Sequence, residues 1–216
     1  MAFQTTHGDD ASNGTTNLAT SSEVDGRTAR KDRNRVAVLD AVLELFTEDN
    51  LMPSPDEVAQ RSGVSLRSVY RYFADIDALL RAAIDRHLER VQPLAHVEAI
   101  GQGPFEDRLE RFLDSRLRLY EAVAPTARAS RLRAATSEVI RDQLEASRVH
   151  LRRQMTAQFA TELEALPPKM RRAAAAAIDT LTQTETIDIY RHNRQFSGAD
   201  TREMLAITIR QLLQNY

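Results

Sequence analysis

The sequence predicts an all-α protein. Apolar residues recur at spacings of three and four from about residue 36 almost to the C-terminus, the pattern of helices that each bury one stripe. No segment alternates apolar and polar residues convincingly enough to be a strand, and Gly and Pro punctuate the periodic runs. At 216 residues, 42% of them hydrophobic and 28% charged, the chain can bury a sizeable core in one large or two small domains.

Residues 1–26 are rich in Ser, Thr, Asn, Gly and Asp, carry no Lys or Arg and show no apolar period, so a disordered tail is expected there. The charge then reverses, with Arg27, Arg30, Lys31, Arg33 and Arg35 opposed only by Asp32, and an ordered domain should begin at this switch. Val36, Leu39, Val42, Leu43 and Phe46 mark the first helix, which "EDNLMPSP" ends. Ser54 is placed to cap the second, with Pro55 at its first position and Glu57 completing a capping box. Gly63 then supplies a turn that needs positive φ, and Ser65 can cap a third helix from Leu66. A fourth follows Asp75 or Asp77, buries Leu79, Leu80, Ala83, Ile84, Leu88 and Val91, and stops before Pro93.

Beyond it, the periodicity predicts a helix from Phe105 to about Val123, interrupted at Pro125, and a long charged helix over 137–166. Pro167 and Pro168 break that one, a helix runs from Lys169 to about Asn193, and Asp200 with Glu203 can cap the last.

Composition narrows the function. A net charge of -2 and a pI near 6.2 exclude binding to nucleic acid or membrane through bulk charge, so any basic site must be local. Without cysteine there is no disulfide framework or thiolate zinc site. The N-terminus lacks the apolar core of a signal peptide, and the run from Ala173 to Ile178 is far too short to span a bilayer, so a cytoplasmic location without membrane association is expected. His7, His87, His96, His150 and His192 form no close metal-ligand spacing, and no nucleophile elbow or phosphate-cradling glycine loop is present. No metal, cofactor or enzymatic activity is expected.

The stretch "RSGVSLRSVYRYF", residues 61–73, is where basic charge is concentrated with purpose. On a helical wheel of about 100° per residue, Leu66, Val69 and Phe73 share an apolar side, while Arg67 and Arg71 point away from it with Ser68 and Tyr70 flanking them. A short helix pinned by two or three apolar residues, preceded by a capped helix and a glycine turn, is the second half of a helix-turn-helix, whose second helix enters the DNA major groove. Arginine can grip guanine O6 and N7 or a phosphate, and Ser and Tyr hydroxyls reach phosphate oxygens. The competing explanation is an ordinary helical hairpin with solvated side chains.

The wider run "VLDAVLELFTEDNLMPSPDEVAQRSGVSLRSVYRYFADIDALLRAAID" resembles the N-terminal domain of TetR-type transcriptional regulators over about residues 30–92. An "LFxxxG" first helix, a "xxxIAxxAGVSxxxxYxxF" core and a "xxKxxLL" fourth helix occur there in order. Asn50 stands where that family usually has Gly, and Ile76 where a Lys commonly meets the DNA backbone. Leu66 replaces a Lys or small polar residue; it either packs beside Val69 or contacts a thymine methyl.

The resemblance implies a helix-turn-helix DNA-binding domain over 27–75, followed by a helical ligand-binding and dimerisation domain over 76–216. It implies that Ser65, Arg67, Ser68, Tyr70 and Arg71 face DNA, while Phe46, Ala59, Val64, Val69 and Phe73 are structural. A homodimer on a palindromic double-stranded operator, more often a repressor, and a small-molecule effector that releases it complete the expectation. Phe112, Arg116, Tyr120, Arg131, Met155 and Phe159 combine apolar bulk with polar ends and are candidate effector contacts. Ala177, Ile178, Leu181, Leu205, Ile209 and Leu212 are candidate dimer contacts. The alternatives are a helical interaction protein and a regulator that binds no effector.

Overall fold

The computed structural model describes the backbone of residues 16–214 and the side chains of residues 28–214. Ten α-helices follow one another among the described residues: α1 (Thr16–Thr47), α2 (Pro55–Ser62), α3 (Leu66–Tyr72), α4 (Ile76–Val91), α5 (Phe105–Ala134), α6 (Glu138–Gln158), α7 (Ala160–Ala165), α8 (Pro168–Leu181), α9 (Thr184–Asp188) and α10 (Gly198–Gln214). A 3-10 turn, Gln92–Ala95, follows α4, and a π-helical turn, Ile189–Asn193, continues α9. There is no strand among the described residues, and none of their helices is long and apolar enough to cross a membrane.

The helix-turn-helix forms as its local sequence dictates. Ser54 accepts from the Glu57 amide at 3.3 Å while its own amide donates to the Glu57 carboxylate at 2.8 Å, which satisfies two N-terminal donors of α2 reciprocally. Gly63 ends α2 at φ 67, a left-handed conformation that costs glycine nothing. Ser65 caps α3 through the Ser68 amide at 3.3 Å, and Asp75 caps α4 through the Ala78 amide at 2.7 Å. At the end of α1 the left-handed residue is Asp49, φ 61, rather than Asn50. Asn50 instead donates its side-chain amide to Glu57 at 3.0 Å. Short polar side chains tolerate the left-handed region, so the turn forms one residue earlier than the motif suggests.

Two cores result. The first packs Val38, Val42, Phe46, Val58, Val64, Val69 and Phe73 with Leu79, Leu80, Ala83 and Ile84 of α4, and draws in Ala129 and Ile140 from α5 and α6. The second joins α5 through α10 around Leu109, Phe112, Phe159, Ile178, Leu205 and Ile209. The expected division at residue 75 therefore crosses the first core, because the inner stripe of α4 belongs to it.

Several elements depart from expectation. The helical backbone begins at Thr16, within the expected tail, while residues 1–15 lie outside the described residues. Once α1 is anchored by its core stripe, each added turn needs no new nucleus. Pro125 does not interrupt α5: the helix carries through to Ala134, with buried Val123, Ala124, Thr126 and Ala129 holding both sides of the missing amide. The 137–166 helix breaks at Phe159, which is fully buried, and Gln158 beside it donates to the Arg108 carbonyl at 2.6 Å. The 169–193 helix breaks after Leu181, where Thr182 turns its hydroxyl back to the Ile178 carbonyl at 2.8 Å. The last helix is capped by Ser197, paired reciprocally with Asp200, rather than by Asp200 with Glu203.

Candidate nucleic-acid interface

Helix α3 is held from below and open above. Val69, 2% exposed, and Phe73, 6% exposed, sink into the first core. Ser65, Arg67, Tyr70 and Arg71 are exposed and Ser68 is half-buried, so each of the five expected DNA contacts is accessible to solvent. Tyr70 keeps 53% of its surface exposed, an unusual position for a large aromatic side chain that has no partner to cover it. Arg67 makes no hydrogen bond or ion pair with another described residue. Arg71 is tethered, its Nη2 donating to Ser68 Oγ at 3.4 Å and to the Tyr72 hydroxyl at 3.3 Å. Arg61 is engaged within the fold: it forms a bidentate pair with Glu48 at 2.9 and 2.7 Å and lies 3.6 Å from Glu44, tying α2 to the end of α1.

Tyr72 was not visible as a site residue from sequence. Its ring packs on the core while the Arg71 guanidinium lies 5.2 Å above it, and the hydrogen bond from Arg71 holds its hydroxyl below the ordinary tyrosine range, with Asn34 and Lys31 of α1 adding to the effect. Arg35 lies over the Phe73 ring at 5.3 Å. The basic middle stretch of α1 therefore stands beside α3, and exposed Arg30, Lys31 and Arg33 extend its positive surface. Arg27 falls outside the residues whose side chains are described. A wheel drawn for α3 alone cannot report this neighbour.

Ile76 is half-buried and packs on the first core, so the position that carries a Lys in the motif supplies no charge here. Leu66 is half-buried but is not part of that core, and it sits at the edge of the exposed face.

The expected effector contacts lie elsewhere from the space they were meant to line. Phe112, Met155 and Phe159 are buried in the second core, with the Phe112 and Phe159 rings edge-to-face at 5.1 Å. Arg116 is buried over the Phe112 ring, where it donates to Gln154 at 3.0 Å and to the Leu151 carbonyl at 2.8 Å; burial pushes its guanidinium down to about 10. Tyr120 donates to Asp188 at 3.0 Å, and burial, helped by that carboxylate, raises its hydroxyl to about 12. Arg131 approaches the same Asp188 at 3.5 Å. These six residues tie helices together. The open volume, about 670 Å³, lies instead between α4, α5 and α6, walled by Leu88, Val91, Leu119, Val123, Leu144 and Leu151, with Asp85, Glu89, Gln143 and His150 among its polar groups.

The expected dimer contacts divide. Ile178, Leu205 and Ile209 are fully buried in this chain's own core and present nothing to a second copy. Ala177, Leu181 and Leu212 are half-buried, and Ile207 is exposed on the outer side of α10. The apolar period of α8 and α10 marks the faces these helices turn toward the second core, α10 against α5 and α8 against α6 and α10.

An all-helical chain with a capped helix-turn-helix near its N-terminus and a second helical core behind it has the fold of TetR-type regulators. A TetR-family transcriptional regulator from Streptomyces coelicolor superimposes with a TM-score of 0.65 at 20% identity, covering 84% of this chain and 80% of that one. A transcriptional regulator from a Rhodococcus species gives 0.60 at 21% identity over 86% of this chain and 96% of that one. No family model matches the sequence, and no curated protein matches it either.

Proposed function

We propose that this chain is a transcriptional regulator that binds a palindromic double-stranded DNA operator as a homodimer through α3, represses from it, and is released by a small-molecule effector. The observation that carries the reading is the outward face of α3, where Arg67, Tyr70 and Arg71 stay exposed on a helix pinned by Val69 and Phe73. A single recognition helix makes few contacts, so useful affinity calls for two copies on half-sites about one helical turn, roughly 34–36 Å, apart. Ile207, exposed on α10, with the remaining exposed edges of half-buried Leu181 and Leu212, is the apolar surface this reading assigns to pairing.

The cleft beside α4 is the effector site in this reading. α4 forms one of its walls and starts only a few residues after α3 ends, so a ligand that favours a different α4 position also re-aims the recognition helix. Release requires only that the ligand bind more tightly to the arrangement that fits DNA poorly.

Footprinting and a salt titration with the DNA flanking the chain's own gene test this. A protected palindrome is expected, with affinity falling steeply as salt rises. Uniform binding to unrelated sequences, or none at low salt, sinks the reading. Sedimentation of Ile207→Glu should show a shift toward monomer with loss of operator binding.

A further inference from the structure

The cleft between α4, α5 and α6 has charge of one sign. Its walls are hydrocarbon, and the acidic residues that line it are Asp85 and Glu89, one helical turn apart on α4. No Lys or Arg among the described residues lines it, and His150 is the other titratable side chain in the lining. The arginines on neighbouring turns are directed to other partners: Arg86 to Asp40 at 3.5 Å, Arg148 to Glu185 at 2.8 Å and Arg90 to His87 at 3.4 Å. Asp85 accepts one hydrogen bond, from Gln143 of α6 at 2.5 Å, and neither carboxylate has an ion-pair partner among the described residues.

Unneutralised carboxylates above low-dielectric walls focus a negative potential into the space between them. A carboxylate or phosphate ligand is repelled there. A neutral apolar molecule gains burial alone, while an ammonium group carrying a hydrocarbon body gains burial and charge pairing together.

We propose that the cleft binds a lipophilic cation, an alkyl or aryl ammonium whose body lies against Leu119, Val123 and Leu144 and whose charge sits by Asp85 and Glu89. The volume of about 670 Å³ suits a ligand of drug-like size. The proposal rests on the cleft being the effector site, and it also names the link to α4. A cation that draws Asp85 competes with Gln143, whose side-chain amide links α6 to the middle of that helix.

Calorimetry on the full chain with decyltrimethylammonium, decanoate and decanol, each below its micelle-forming concentration, tests the charge preference. The ammonium should bind at least tenfold more tightly than the carboxylate. The double variant Asp85→Asn, Glu89→Gln should remove that advantage and leave decanol binding unchanged. Ser147→Trp, at an exposed position on the α6 wall, should block the cleft, with circular dichroism confirming that the variant is folded. Decanoate binding as tightly as the ammonium, binding that survives Ser147→Trp in folded protein, or no binding of any probe overturns the proposal. Operator affinity separates it from the reading on which it rests. An ammonium that binds at the cleft without loosening DNA upholds the cation site and defeats the effector reading, whereas DNA release by decanoate alone does the reverse.

Discussion

The guanidinium of Arg128, on the distal part of α5, lies 3.3 Å from the carboxylate of Asp49, the left-handed residue that closes α1. The same guanidinium is 3.6 Å from Asp188 and 3.1 Å from His192 Nε2. One side chain thus touches both the end of the first core and the π-helical turn of the second. Asp49 is largely exposed, so Asp49→Asn should cost less than about 1 kcal/mol. Arg128→Met should cost more, because it also strips Asp188 of a partner. A double-mutant cycle in urea unfolding checks the ranking; additive effects would show that Arg128 and Asp49 do not interact in solution.

Arg67→Ala should weaken specific operator binding by about 1–3 kcal/mol, roughly five- to 150-fold, while leaving thermal unfolding unchanged. Val69→Ala should do the opposite in the first instance, lowering stability by on the order of 2 kcal/mol, because it opens a cavity under α3. Fluorescence anisotropy and calorimetry on the same two variants separate the roles. A drop in melting temperature for Arg67→Ala would place that side chain in the fold rather than on DNA.

His87 is half-buried, with Nε2 2.9 Å from the Ala122 carbonyl, and burial holds its imidazole below the usual value of 6.5. The unfolded chain therefore takes up the proton first as pH falls. The stability His87 contributes is fully present above about pH 6.5 and is lost as pH drops through the folded-state value, after which the curve levels. His87→Gln keeps a donor for the carbonyl and should flatten this part of the stability profile, measured as melting temperature between pH 7.5 and pH 5, on the order of the histidine titration range. An unchanged profile would assign the acid sensitivity to another group.

Arg108 and Glu162 form a buried ion pair between α5 and α7, with side-chain exposures of 5% and 14%. Arg108 also donates to the Gln158 carbonyl at 2.6 Å and to the Gly103 carbonyl at 3.1 Å. Glu162→Ala leaves that guanidinium without a counter-charge and should destabilise by about 3–5 kcal/mol in chemical denaturation. A loss of under about 1 kcal/mol would mean that water reaches the site and replaces the carboxylate.

The legible parts of the sequence were those set by contacts a few residues apart. Ser54 with Glu57, Gly63, Ser65 and Asp75 each satisfy backbone groups within their own turn, so the motif and the hydrogen bonds agree. Pro125 misled because its cost was offset by buried neighbours on other helices, and Phe159 and Thr182 ended helices through packing and side-chain bonding that periodicity does not encode. Phe112, Arg116 and Tyr120 have the mixed apolar and polar character of ligand contacts. That character equally suits residues that knit helices together, which is what these residues do.

The sequence by itself determined the all-helical class, the helix-turn-helix and the outward face of α3, because helical period, caps and turn glycine act over one or two turns. Tertiary structure decided which other arginines are engaged within the fold, so that Arg61 is paired with Glu48 and Arg116 is buried against Gln154. It also decided where the cleft lies. A cavity is the space that three packed helices leave between them, and its negative lining arises because the nearby arginines find partners on helices distant in sequence.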